Sequence, residues 1–117
     1  MRDSLKDRGR LMHMLEMSMA LATEKDRHSL EAINNDRVLF YGLSKMVEII
    51  GEAAYMTTKE FKSNHPQIPW RQIEGMRHIL VHGYFSISSD VLWDVIQNDI
   101  PKLIPTLKSF INEFESD

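Results

Sequence analysis

The sequence contains no cysteine, which excludes disulfides, thiolate nucleophiles and Cys-rich zinc or iron–sulfur sites. No apolar run approaches the roughly 18 residues that a membrane-spanning helix requires. Met1-Arg2-Asp3 opens into charged sequence instead of a leader's apolar stretch, so the expectation is a cytoplasmic protein with no membrane contact. Positive charge is also in short supply: 14 Lys and Arg stand against 17 Asp and Glu, for a net charge of −3. Gripping nucleic acid by bulk charge is thereby excluded, and any RNA or DNA contact must be local. Strand signals are nearly absent, the one alternating stretch being Tyr84-Phe85-Ser86-Ile87-Ser88, short and set between helical patterns. The sequence has no phosphate-cradling glycine loop, serine triad or carboxylate metal cluster.

What is present is an ordinary folding composition, 43% hydrophobic and 26% charged over 117 residues, enough for one domain spanning 1–117. Leu5, Met12, Leu15, Met19 and Ala22 recur at helical spacing and predict a first helix from Arg2 to about Thr23. A helical turn over Ser29–Ile33 precedes Asn34-Asn35-Asp36, which offer caps for a second main helix reaching about Thr57. Its apolar face runs through Leu39, Leu43, Met46, Val47, Ile50, Ala53 and Ala54. Gly51 interrupts that helix at a cost of about 1 kcal/mol relative to Ala, so another helix is expected to pack closely on the bare backbone there.

The polar string Lys62-Ser63-Asn64-His65 with Pro66 and Pro69 reads as a loop between Phe61 and Trp70, Pro69 suiting the first position of a third main helix that stops at Gly83. Ser88, Ser89 or Asp90 can cap a last helix, which Pro101 and Pro105 must kink or break. The expected architecture is an all-α, up-down bundle of four to five helices. The wide apolar surface of the last helix leaves room for a dimer interface. Met12, Met14, Met17 and Met19 read as core and interface filler, Trp70 and Trp93 as packing anchors, and His13, His28 and His65 as solvated surface residues.

Reactive side chains concentrate in the third helix: Arg71, Glu74, Arg77, His78, His82 and, just beyond it, Tyr84. On a continuous α-helix Arg77 and His82 would differ by about 140° in direction and about 7.5 Å in height. Convergence therefore needs a frayed helix end at Gly83 or a second subunit. An arginine beside a histidine suits metal-free phosphodiester chemistry, the guanidinium as a forked phosphate donor and the imidazole as proton carrier. RNA is the natural substrate, because its 2′-hydroxyl can serve as the nucleophile. By spacing alone, a surface ion-pairing arginine and a helix-capping histidine are the favoured reading of the pair. Glu74, His78 and His82 at four-residue steps offer a metal-site reading, weakened by the absence of a His-Glu-x-x-His pattern.

Arg77-His78-Ile79-Leu80-Val81-His82-Gly83-Tyr84 resembles the Arg-x4-His-x-Tyr motif of HepT-like toxins in the HEPN superfamily. Ile49-Ile50-Gly51-Glu52-Ala53, Ile68-Pro69-Trp70-Arg71 and the stretch Val91 to Leu103 also resemble that family's patterns, in order. The resemblance implies an all-helical homodimeric toxin that cleaves RNA without metal or cofactor, with Arg77 and His82 catalytic in a cleft between subunits. It implies that Arg71 and His78 help bind substrate. It also implies that a nucleotidyltransferase antitoxin silences the toxin by attaching AMP to Tyr84, where bulk and negative charge would block the cleft. The competing reading is a non-catalytic helical adaptor that binds a nucleotidyltransferase, favoured by the acidic charge and broad apolar faces.

Overall fold

The computed structural model describes residues 2–78 and 89–115, with side chains from Lys6 onward. They form α1 (Arg2–Arg27), α2 (Leu30–Asn35), α3 (Arg37–Met56), α4 (Lys59–Asn64) and α5 (Trp70–Gly75), which runs into a 3₁₀ turn at Met76–His78. Next come α6 (Ser89–Asp94), a π turn over Val95–Asp99 and α7 (Ile100–Glu115). Among the described residues there is no strand, and no helix is long and apolar enough to cross a membrane. The all-α bundle expected from periodicity is the architecture observed.

Three long helices carry the core. α1 packs on both α3 and α7, and its first turns fix the directions. Asp7 reaches Thr58 just past the end of α3, and Arg8 pairs with Glu115 at the end of α7 at 3.0 Å. The start of α1 thus meets the ends of both neighbours, so α3 and α7 run antiparallel to it. On α3 and α7 the enclosed side chains are those that the spacing placed on apolar stripes: Val47, Ile50, Leu103, Leu107 and Phe110 are all buried. On α1 the expected face needs correction: Leu11, Met14 and Leu21 are buried, whereas Met12 and Met19 are exposed and Leu15 and Ala22 only half-buried.

The junction between α1 and α4 depends on one buried carboxylate. Asp7 accepts from the Thr58 backbone N–H at 2.9 Å, from the Thr58 hydroxyl at 2.6 Å and from Arg10 at 3.4 Å. The Thr58 Oγ1 in turn caps α4 by accepting from the Phe61 N–H at 3.2 Å. Asp7→Ala leaves these donors buried without their acceptor and is expected to cost about 2 kcal/mol. The corresponding fall in Tm of roughly 8 °C is measurable by circular dichroism; an unchanged Tm would remove Asp7 from the stabilising network.

Several local expectations need correction. The Phe61–Trp70 loop begins with a helix: α4 occupies Lys59–Asn64, a single capped stretch too short to display a periodic stripe. The string Lys62-Ser63-Asn64 therefore lies in and at the end of a helix that turns Phe61 inward. Phe61 meets Phe110 and Phe114 at 5.5 and 5.8 Å between ring centroids. His65 is not a solvated surface residue. Its ring stacks on Phe61 at 3.8 Å, and its two nitrogens lie 2.8 Å from the Phe61 carbonyl and 3.0 Å from Glu113. His28 is half-buried beside Glu24, 3.2 Å away. Pro69 precedes the first residue of α5 instead of occupying it; its carbonyl accepts the Ile73 N–H at 3.1 Å. Trp70 is buried and donates its indole N–H to the His65 carbonyl at 2.7 Å, as befits an anchor.

The prolines of the last helix act more mildly than expected. The chain stays helical from Ser89 to Glu115, with Pro105 inside α7. The irregularity is the π turn, where the Ile100 N–H reaches back to the Val95 carbonyl. In a regular α-helix the Pro101 ring would collide with the carbonyl of residue 97; the wider turn immediately before it relieves that collision. The expected helix stop at Gly83, the cap at Ser88 and the alternating stretch Tyr84–Ser88 lie outside the described residues.

A candidate phosphate-binding groove at Arg77

The third main helix is shorter than its pattern implies. α5 ends at Gly75, and Met76, Arg77 and His78 form a 3₁₀ turn, so the comparison of Arg77 and His82 on one continuous α-helix no longer applies. The cause lies in α3. A Cβ on Gly51 would come within 2.8 Å of the Met76 carbonyl carbon and 3.0 Å of the Arg77 Cα, so the two backbones touch where the glycine removes the side chain. The close approach expected from Gly51 is present, and its partner is the backbone of Arg77 itself.

One turn further along α3, Tyr55 supplies a second constraint. The Arg77 guanidinium lies over the Tyr55 ring, 3.4 Å from its centroid. Its Nε donates to the His78 Nε2 at 3.3 Å. The end of α3 is itself fastened by Lys62, whose ammonium donates to the Ala54 and Tyr55 carbonyls at 3.2 and 3.4 Å and pairs with Glu74 at 3.1 Å. A cation at these terminal carbonyls also complements the helix dipole. Arg77 is thus gripped at its backbone and at its head group, and its terminal nitrogens make no hydrogen bond or ion pair among the described residues.

Arg77 lines an open groove of about 720 Å³ between α1 and α3. The α1 wall carries Lys6, Arg10 and His13; the α3 wall carries Lys45, Glu48 and Glu52 over an apolar floor of Ile49, Ala53 and Met56. Lys45 and Glu48 are paired at 2.6 Å and offset each other. Four cations face two carboxylates in this groove, a local positive excess on a chain whose net charge is −3. Such a surface favours a phosphate-bearing ligand.

The residues singled out from sequence divide clearly. Arg77 lines the groove, and His78 touches Arg77. Arg71 is exposed on α5 and does not line it. His82 and Tyr84 lie outside the described residues. Glu74, one corner of the metal-site reading, is occupied by Lys62, and no group of three His, Asp or Glu able to hold a metal ion occurs among the described residues. Lys6, Arg10, His13 and Lys45 escaped sequence reasoning as a site. The available signal was the helical spacing of Lys6, Arg10 and His13, which only the packing of α1 on α3 turns into one wall.

The family model described as "Ribonuclease HepT-like" matches residues 11–110. A "Putative RNase" of Methanocaldococcus jannaschii is 38% identical over 79 residues, 68% of this chain and 72% of that one. A "Putative RNase" of Caldanaerobacter subterraneus subsp. tengcongensis is 34% identical over 103 residues, 88% of this chain and 92% of that one. A "Probable ribonuclease HepT" of Thermococcus cleftensis is 41% identical over 68 residues, 58% of this chain and 62% of that one. No solved structure gives a significant match.

Proposed function

The chain belongs to the HepT-like ribonuclease family, and from that premise we propose that it is a toxin endoribonuclease that cleaves RNA as a homodimer without a metal ion. The observation that carries the reading is the fixed Arg77 guanidinium in a cationic groove. In this mechanism Arg77 binds the non-bridging oxygens of the scissile phosphate and stabilises the charge that grows on them. The imidazole of His82 takes the proton from the 2′-hydroxyl, whose oxygen attacks phosphorus. The bond to the 5′-oxygen breaks, and a second imidazole returns a proton to that leaving group. One His82 from each subunit supplies the base and the acid. The products are a 2′,3′-cyclic phosphate and a 5′-hydroxyl.

Incubating the purified protein with single-stranded RNA in excess chelator tests this directly. Cleavage with cyclic-phosphate ends is the expected result. Intact RNA, or cleavage that requires an added divalent ion, overturns the mechanism.

The same reading makes Tyr84 the residue at which a nucleotidyltransferase antitoxin attaches AMP. The support is the match of Arg77, His82 and Tyr84 to the motif spacing described above. Co-expression with such an enzyme is expected to add one AMP mass to the chain and abolish RNA cleavage, and Tyr84→Phe is expected to remain unmodified. AMP retained on the Tyr84→Phe protein would place the modification elsewhere.

A further inference from the structure

We propose that the α1 wall of the groove, the stripe Lys6, Arg10 and His13, is a binding track for the phosphates of single-stranded RNA that passes Arg77. The identity of the polyanion rests on the ribonuclease reading; the track itself rests on geometry. The three residues follow one another at four- and three-residue steps, which puts them on one face of α1 with rises of about 6 Å and 4.5 Å. All three line the same groove as Arg77, so they spread its positive charge along the length of α1 and not merely around a point.

These donors are available to a ligand, in contrast to other charged groups nearby. Lys45 is committed to Glu48 at 2.6 Å. Lys6 and His13 make no hydrogen bond or ion pair among the described residues, and both are exposed. Arg10 spends one guanidinium nitrogen on a long 3.4 Å contact with Asp7, which aims the group while leaving its other donors for phosphate. Asp7 also ties this stretch of α1 to Thr58, so the wall is held in place before any ligand arrives. The apolar lining residues of the groove, Ile49, Ala53 and Met56, suit the face of a ribose or an unstacked base. Glu52 is the one groove carboxylate without a cation at ion-pair distance among the described residues, and it opposes a polyanion.

The test is equilibrium binding of a fluorescent 2′-O-methyl oligonucleotide, whose blocked nucleophile prevents cleavage, to the full chain at several salt concentrations. Lys6→Glu is expected to weaken binding at least tenfold and to flatten the plot of log K against log salt by roughly 0.7 for each phosphate that is no longer neutralised. Glu52→Gln is expected to tighten binding two- to threefold. Lys108→Glu, which makes the same charge change on the exposed face of α7, is the control and is expected to leave affinity within twofold. Circular dichroism verifies the fold, and Lys6→Ala gives the same comparison without charge reversal. Equal effects of the Lys6 and Lys108 substitutions overturn the track, as does a parent protein that fails to bind the oligonucleotide. Weaker binding on Glu52→Gln also counts against it, because it marks a groove built for a charge-complementary protein partner. If the parent cleaves RNA while Lys6→Glu behaves as the control does, the track fails and the ribonuclease reading stands. Lys6-dependent binding with no cleavage of unmodified RNA gives the reverse.

Discussion

Arg77→Ala is expected to slow RNA cleavage at least 10²- to 10³-fold, the usual cost of removing one preorganised donor from a developing anion. The magnitude follows from how the group is held. A solvated arginine must be ordered when substrate binds, whereas this guanidinium already rests 3.4 Å from the centroid of Tyr55 and is steadied by His78 through its Nε. Little of its stabilising effect is then spent on ordering. Arg77→Lys keeps the charge but loses the planar fork, and is expected to recover only a small part of the rate. Single-turnover cleavage with enzyme in excess is the appropriate measurement, since it isolates the chemical step from product release. The loss of the cation–π interaction costs only about 1 kcal/mol of stability, so Tm should move by a few degrees at most. A parent-like rate in the alanine variant would dissociate this groove from the chemistry. Tyr55→Phe, which keeps the ring beneath the guanidinium, is expected to cleave at close to the parent rate, and Tyr55→Ala is not.

Gly51→Ala is the second large effect, and its sign is the less obvious one. In the middle of a helix the substitution ordinarily gains about 1 kcal/mol. Here the added methyl meets backbone, with Met76 and Arg77 main-chain atoms at 2.8 and 3.0 Å, and no flexible side chain can swing away. The turn at Met76–His78 must therefore back off α3. The expected outcome is a net loss of roughly 2–3 kcal/mol in stability and a drop in cleavage of about 10²-fold, because displacement of a positioned group by about 1 Å carries a cost of that order. Chemical denaturation and single-turnover kinetics read the two effects separately. A more stable Gly51→Ala protein would mean that the close approach to α3 does not exist in solution.

Much of this arrangement was legible before any coordinates. The apolar stripes of α3 and α7 announced the bundle because each is long enough for a 3.6-residue period to repeat several times; α1 announced a helix but not its buried face, because its methionines at 12, 14, 17 and 19 fall on several sides and Met12 and Met19 stay exposed. Gly51 announced a close approach because a glycine inside a strong helical pattern is costly without one. Trp70 fell within such a pattern and is indeed buried. α4 was hidden, since six residues hold too little periodicity and its cap, Thr58, has no distinctive neighbour. Asp7 was indistinguishable from the other charged residues of α1 until Thr58 came to it across 51 positions of sequence. The groove was hidden for the same reason: Lys6 and Lys45 belong to one surface only because α1 lies antiparallel on α3. Arg71 stood out for its nearness to Arg77 in the chain, but it occupies the exposed side of α5.

The two constraints on Arg77 sit on a single rigid rod, four residues apart, Gly51 touching its main chain and Tyr55 carrying its head group. Four residues of α-helix advance about 6 Å and return to nearly the same azimuth, a separation within the span of an extended arginine. α3 therefore acts as a length gauge. The exposed position between them, Glu52, can vary in kind, but adding or deleting a single residue in the interval would rotate the tyrosine by about 100° and part it from the arginine. Through descent, this short interval should keep its length as strictly as it keeps its glycine.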